Sequence, residues 1–192
     1  MISLKLSKDI LNDATISDKQ ALDVHICVEG YFKRLLFIGL RLNEVQYETA
    51  RQVIERYWSR SLKELIKKAW NTSGVGYDTA KQYDGYREVE RYVTTFTAYY
   101  RNQRVHGGRD EIEDQRLLVA MIDVDKEIIR VSERICQATV GCSAFQKPGR
   151  WGAKRGRIED IAAVLQRFNL RENRHEPPDI AEVETWLAER AP

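Results

Sequence analysis

Hydrophobic residues recur every three or four positions along nearly the whole chain, which is the spacing of one face of an α-helix. The tetrapeptide Ser17-Asp18-Lys19-Gln20 matches a capping box and predicts that the first helix begins there. The apolar spacing predicts four long helices, over about residues 17–42, 44–70, 84–106 and 110–138. Gly30 and Gly39 lie inside the first helix, where each is either a site of close packing or a tolerated weak point.

Long helices joined by short turns predict an all-α protein, an up-and-down bundle of four or five main helices. The pattern changes after residue 140. Residues 141–157 are predicted to be a basic, glycine-rich connector between the bundle (1–140) and a short helical C-terminal appendage (158–192). Two short helices are predicted in the appendage, the first marked by Ile158, Ile161, Leu165 and Phe168 and the second opened by Pro177-Pro178. Three arrangements are compatible with the sequence: the appendage packs on the bundle, extends a dimer interface or forms a small second lobe.

Composition narrows the class of protein. With 192 residues, 43% hydrophobic and 31% charged, the chain is long enough for one ordinary core. No apolar run approaches the roughly 20 residues that span a bilayer, and residues 1–9 lack the apolar stretch of a signal peptide. The three cysteines form no C-x2-C pair. We expect reduced thiols, a cytoplasmic protein without a membrane partner, and no structural zinc site.

The formal net charge is only +2, but the cations are distributed unevenly. Five lie in the connector without an intervening acid: Lys147, Arg150, Lys154, Arg155 and Arg157. Trp151 lies among them and is flanked by glycine and proline. A flexible basic loop with an aromatic side chain suits a polyanion with unstacked bases, which predicts RNA contact. The alternative is a solvated connector whose cations pair with carboxylates elsewhere.

The strongest chemical signal is the run Arg101-Asn102-Gln103-Arg104-Val105-His106-Gly107 at the end of the third predicted helix. Arginine offers phosphate a planar fork of donors that stays charged. Histidine changes charge near neutral pH and can move a proton in either direction. An amide can hold a phosphate oxygen or orient the imidazole. These groups suffice for cleaving RNA without a metal, although cations followed by Gly107-Gly108 also make an ordinary helix C-terminus.

The stretch Phe96-Thr97-Ala98-Tyr99-Tyr100-Arg101-Asn102-Gln103-Arg104-Val105-His106-Gly107 resembles the signature of HEPN domains (higher eukaryotes and prokaryotes nucleotide-binding). The resemblance covers about a dozen residues closely and the helical pattern of about residues 17–140 loosely. It implies a metal-independent RNA endonuclease that works as a homodimer, each copy contributing one motif to a composite site. It also implies a toxin or anti-phage defence effector, with an antitoxin as a possible partner. Some such toxins carry a tyrosine shortly after the histidine, whereas here Gly107, Gly108 and Arg109 follow.

Helix geometry gives an independent reason to expect two copies. Five residues along a helix is a net rotation of about 140°, so Arg101 and His106 would point to different sides. They converge only if the helix ends before His106 or if a second molecule completes the site. Cleavage through the 2′-hydroxyl also needs both a base and an acid, whereas one motif supplies one imidazole.

We therefore assign His106 as general base or acid and Arg101 as phosphate ligand. Asn102 is expected to orient His106 or to bind a phosphate oxygen, and no cofactor is expected. Arg104 and Arg109 are expected to bind the RNA backbone. The products would be a 2′,3′-cyclic phosphate and a 5′-hydroxyl.

Other interpretations remain. The chain can be a catalytically silent helical module that binds RNA, a nucleotide or a partner, or a plain helical interaction protein. His25 shares a helix with Leu22 and Ile26, so we expect a core or interface histidine in preference to a second catalytic one. The acids at 110–114 favour the first turn of a helix over a metal site.

Overall fold

The computed structural model describes residues 17–106, 112, 114–146, 151–152, 155–173 and 180–189. Within these ranges the protein is an all-α helical bundle, as the sequence predicts. The helices follow in the order α1 (Asp18–Leu42), α2 (Tyr47–Arg56), α3 (Leu62–Ser73), α4 (Tyr77–Ala80), α5 (Tyr86–Tyr92), a π-helical turn (Val93–Thr97), α6 (Ala98–His106), α7 (Gln115–Thr139), α8 (Ile161–Arg167) and α9 (Ile180–Ala188). None of these helices is both long and apolar enough to cross a bilayer.

Helix α1 is the centre of the bundle and packs against α2, α3, α6 and α7. It begins as predicted: the Ser17 side chain accepts a hydrogen bond from Gln20 N, and Gln20 Oε1 accepts one from Ser17 N. Gly39 lies against the backbone of α3, where a Cβ atom would come within 2.7 Å of the Thr72 carbonyl carbon. The glycine therefore sets the distance between these two helices, whereas Gly30 has open space around it.

The predicted helix over 44–70 is wrong as a single element, because it is broken between α2 and α3. The chain is extended at Tyr57, which forms an antiparallel bridge with Glu172, and Trp58 N donates to Arg171 O at 3.0 Å. Helix α3 then restarts with Ser61 as its N-cap, whose side chain accepts a hydrogen bond from Glu64 N. The break is stable because residues 171–173 form hydrogen bonds with backbone groups of residues 56–58, which would otherwise be paired within a continuous helix.

The motif lies on α6, which follows α5 without a break through the π-helical turn. The backbone N–H of Ala98 donates to Val93 O, five residues earlier, which is the widened spacing of a π-helix. The helical conformation then continues through His106, so the option that the helix ends before His106 is wrong. Phe96 and Tyr100 pack against a small apolar cluster between α1 and α7, composed of Ala21, Val24, Leu118, Met121 and Ile122.

Helix α7 begins later than its predicted start near residue 110. Asp114 is the N-cap, and its side chain accepts hydrogen bonds from Arg116 N and Leu117 N. A carboxylate at this position stabilises the positive end of the helix dipole. The predicted first-turn acids at 110, 111 and 113 lie outside the described residues.

Residues 155–173 of the C-terminal segment pack on the bundle. Val164, Leu165 and Leu170 belong to the same core as α1 and α3, and α8 contacts α2. Gly156 is pressed against the backbone of Gln46, next to a parallel bridge between Val45 and Arg157. The prediction that Ile158 belongs to the apolar face of a helix is wrong. It precedes α8 and is 89% exposed.

Candidate functional site

A groove of about 660 Å³ opens between α1, the motif helix and the break between α2 and α3. Helix α1 contributes His25, Glu29 and Lys33, which are four residues apart and therefore form one stripe. The facing helix contributes a second stripe of four-residue spacing, at Thr94, Ala98, Asn102 and His106, with Arg101 beside it. The groove thus contains all three residues that the sequence assigns to catalysis.

Arg101 lies between an amide and a carboxylate. Its Nη1 donates a hydrogen bond to Asn102 Oδ1 at 3.0 Å, and its Nη2 lies 3.9 Å from Glu29 Oε1. The ion pair is long and both side chains are partly exposed to solvent, so it contributes little to stability. The guanidinium is oriented toward the groove but remains available to an anionic ligand.

His106 is exposed at the end of α6 and lines the groove one helical turn beyond Asn102. Among the described residues, none forms a hydrogen bond with its imidazole. Arg101 and His106 are still separated on the helix by the rotation expected from their spacing. Both side chains nevertheless line one groove within a single chain, from different sides of the same helix.

The third wall consists of the break and the first turn of α3, and Trp58, Arg60 and Lys63 are among its lining residues. Trp58 is 48% exposed, a large exposed fraction for a tryptophan. Four groove residues carry a fixed positive charge (Lys33, Arg60, Lys63 and Arg101), against the single carboxylate of Glu29. The groove therefore has an excess of positive charge although the whole chain is nearly neutral.

A buried polar network lies under the groove. His25, only 1% exposed, has Nδ1 3.0 Å from Asp125 Oδ2, and the Thr97 hydroxyl lies 3.1 Å from Asp125 Oδ1. Burial raises the pKa of the Asp125 carboxyl above its usual range, while hydrogen bonds from His25 and Thr97 and the nearby imidazole charge act against that rise. This is the satisfied core histidine that the sequence predicts. It links α1, the π-helical turn and α7 directly beneath the motif.

The connector residues that the structure describes do not line this groove. Arg155 and Arg157 are exposed, and Arg157 Nη2 lies 3.5 Å from Glu44 Oε2. Arg104 is partly buried on α6 and does not line the groove. The remaining predicted RNA ligands, Arg109, Lys147, Arg150 and Lys154, lie outside the described residues.

The prediction that Trp151 contacts RNA is wrong. Trp151 is only 1% exposed and packs edge-on against Phe37, with ring centroids 5.7 Å apart. The Arg34 guanidinium covers the ring at 4.6 Å from its centroid, a cation–π contact inside the protein. Desolvation lowers the pKa of Arg34 from its ordinary value. The indole therefore fixes the connector to α1 and has no surface for a base.

The groove residues outside the motif are not predicted from the sequence, although it contains two signals for them. Ser61 and Glu64 stand three residues apart, the spacing of a capping box, and mark a helix start within the predicted long helix. The four-residue spacing of His25, Glu29 and Lys33 marks a polar stripe on α1. Neither signal shows by itself that these residues meet the motif, because that depends on how the helices pack.

The remaining predicted chemistry concerns thiols and metals. None of Cys27, Cys136 and Cys142 forms a disulfide bond, and burial raises the pKa of Cys136 to about 12. Within the described part of the chain, no three His, Cys, Asp or Glu side chains are grouped closely enough to hold a metal ion. Comparisons with protein-family models, curated proteins and solved structures found no match for this chain. The function is therefore inferred from the groove and the motif.

Proposed function

We propose that the protein is a metal-independent RNA endonuclease of the HEPN type, with its active site in this groove. One observation carries the proposal: Arg101, Asn102 and His106 line the same cavity as the cations Lys33, Arg60 and Lys63. The motif supplies an acid–base group and a phosphate ligand, and the surrounding charge attracts the polyanion. The resemblance of residues 96–107 to the family signature agrees with this chemistry.

In the proposed reaction the 2′-oxygen of the substrate attacks the adjacent phosphorus. A base accepts the 2′-hydroxyl proton, the bond from phosphorus to the 5′-oxygen breaks, and an acid protonates that oxygen. His106 takes one of these two roles. Arg101 exchanges its partners Asn102 and Glu29 for the phosphate and offsets the charge that develops on its oxygens. Asn102 binds a phosphate oxygen or orients the imidazole. The products are a 2′,3′-cyclic phosphate and a 5′-hydroxyl.

A homodimer would supply the second imidazole from the partner's copy of the motif. Two features of α6 agree with such an interface. None of the residues of this helix is buried within one chain, and Tyr99 and Val105 are about half exposed. A partner packed across α6 would cover these side chains and bring the two motifs to one cleft.

The biological role that we propose is that of a cytoplasmic toxin or anti-phage defence effector, with RNA as its substrate. That role follows from the family resemblance. An antitoxin protein is the corresponding possible partner. Since Gly107, Gly108 and Arg109 follow the histidine, a tyrosine-modifying antitoxin has no target at these positions.

The test is incubation of purified wild-type protein and the His106→Ala variant with total RNA in EDTA, followed by mapping of the cleaved ends. We expect cyclic phosphate ends with the wild type and intact RNA with the variant. Lys67→Gln is the matched control, because Lys67 is exposed and lies neither in the groove nor on α6. It should cleave like the wild type.

Two other outcomes would decide against the proposal. Equal cleavage by wild type and His106→Ala would place the activity elsewhere or in a contaminant. Intact RNA with both proteins, together with measurable RNA binding, would favour the alternative of a catalytically silent RNA-binding module.

A further inference from the structure

We propose that the α2–α3 break is the substrate-binding wall of the groove, with Trp58 stacking on an unpaired base of single-stranded RNA and with Lys33, Arg60 and Lys63 binding the flanking phosphates. This inference rests on the proposed function only for the choice of RNA as ligand. The arrangement itself follows from the exposure, charge and support of residues that the motif does not include.

Trp58 is exposed for a reason that lies in the backbone. Its N–H donates to Arg171 O at 3.0 Å, and the neighbouring Tyr57 is buried and bridged to Glu172. The extended segment is thus held in place while the next side chain points outward. No aromatic or cation–π contact involves the Trp58 ring among the described residues. A positioned indole with a free face gives a base a stacking surface at little conformational cost.

The cations around Trp58 form no ion pairs among the described residues, although Glu29 lines the same groove and Glu64 Oε2 accepts from Arg60 N at 3.0 Å. Lys33, Arg60 and Lys63 are all exposed, and no described carboxylate forms an ion pair with any of them. Elsewhere on the surface, charged side chains pair locally, as Arg51 does with Glu48 and Glu55. Unpaired cations beside an exposed aromatic ring are the combination by which proteins bind single-stranded nucleic acid.

The size of the groove favours a single strand over a duplex. Its volume of about 660 Å³ is that of a pocket for a small molecule, so it admits a few nucleotides with their bases turned out of a helix. Base stacking on Trp58 requires an unstacked base, which loops and single strands supply. The motif on the opposite wall then faces the phosphate next to the stacked base.

The experiment measures binding of a fluorescein-labelled single-stranded RNA of mixed sequence by anisotropy. The protein is the full chain carrying His106→Ala, so that cleavage does not remove the probe. We expect Trp58→Ala to weaken binding about tenfold, within the range for loss of one stacked base, and Trp58→Phe to retain most of the affinity. Tyr92→Ala removes an exposed ring outside the groove and should leave binding unchanged.

The contribution of lysine charge to RNA binding is tested with two matched variants on α3. Lys63→Gln should lower the slope of log affinity against log salt by about 0.7, the value for one phosphate contact on a single strand. Lys67→Gln, one turn along the same helix, changes an exposed lysine outside the groove and should keep the wild-type slope. Thermal unfolding of each variant checks that the fold is intact.

Several results would overturn the inference. Unchanged affinity in a folded Trp58→Ala variant would exclude stacking. Equal slopes for Lys63→Gln and Lys67→Gln would mean that the RNA is attracted by the overall charge and not bound by Lys63. Tighter binding of the same RNA as a duplex would exclude recognition of unpaired bases. If binding depends on Trp58 but the wild type cleaves no RNA, the binding wall stands and the proposed nuclease activity fails.

Discussion

Gly30 and Gly39 lie on the same helix, α1, but their surroundings differ. A Cβ atom at Gly39 would meet the backbone of Thr72 and Ser73, which cannot rotate away as a side chain can. We predict that Gly39→Ala destabilises the protein by about 1–3 kcal/mol, because α1 and α3 must move apart. Gly30→Ala should stabilise by about 0.5–1 kcal/mol, since it has free space and alanine favours the helix. Chemical denaturation of the two variants measures both effects, and equal effects would contradict the predicted contact.

The buried network beneath the motif is a second feature at the scale of residues. We predict that Asp125→Ala lowers the free energy of unfolding by about 3–5 kcal/mol, because His25 and Thr97 lose a shared buried acceptor. Asp123→Ala changes an exposed carboxylate on the same helix and should stay within about 0.5 kcal/mol of the wild type. Urea unfolding followed by circular dichroism provides the measurement. A small effect of Asp125→Ala would mean that water replaces the carboxylate.

At the scale of elements, the two tryptophans Trp58 and Trp151 differ in burial: Trp58 is 48% exposed and Trp151 is buried. The glycine-rich basic surroundings of Trp151 indicate an exposed loop, whereas its ring packs on Phe37 beneath Arg34. Trp58 falls within the predicted helix over 44–70, whereas the structure places it in the break between α2 and α3, where it lines the groove. In each case the deciding contact comes from a segment distant in sequence, which periodicity does not detect.

This difference in burial predicts unequal effects of the same substitution. Trp151→Ala should destabilise the fold by about 3–5 kcal/mol, because a large buried ring is lost and a cavity remains. Trp58→Ala should destabilise the fold much less, by about 1 kcal/mol, because nearly half of the residue's surface is already exposed to water. Thermal and urea unfolding of both variants compare them directly. A larger loss of stability for Trp58→Ala would contradict the described burial.

At the scale of the whole molecule, the composite-site proposal predicts how mixed chains behave. If each site needs His106 from both copies, co-expression of equal amounts of wild type and His106→Ala leaves about one quarter of the dimers fully competent. Activity per total chain should then fall to about one quarter of the wild-type value. Chains that act alone would retain about one half. Co-expression with Lys67→Gln, which lies outside the groove, should cause no loss.

How far the sequence predicted this protein depended on whether the relevant interaction is local. The helical class, the first turn of α1 with its Ser17 cap and the position of the Arg101–His106 motif follow from neighbouring residues, so periodicity and capping rules predict them. His25 was also assigned correctly to the core, because its apolar neighbours on α1 indicate the buried face.

Only the tertiary structure decided which surfaces meet the motif. The break between α2 and α3 depends on backbone pairing with residues 171–172, more than a hundred positions away. That pairing turns Trp58 outward and brings Arg60 and Lys63 to the groove that Lys33 and Arg101 line. Hydrogen bonds and packing between distant segments set these positions, and such long-range pairing leaves no periodic trace in a single sequence. The chemistry of the motif is therefore local, and the groove around it is a product of the fold.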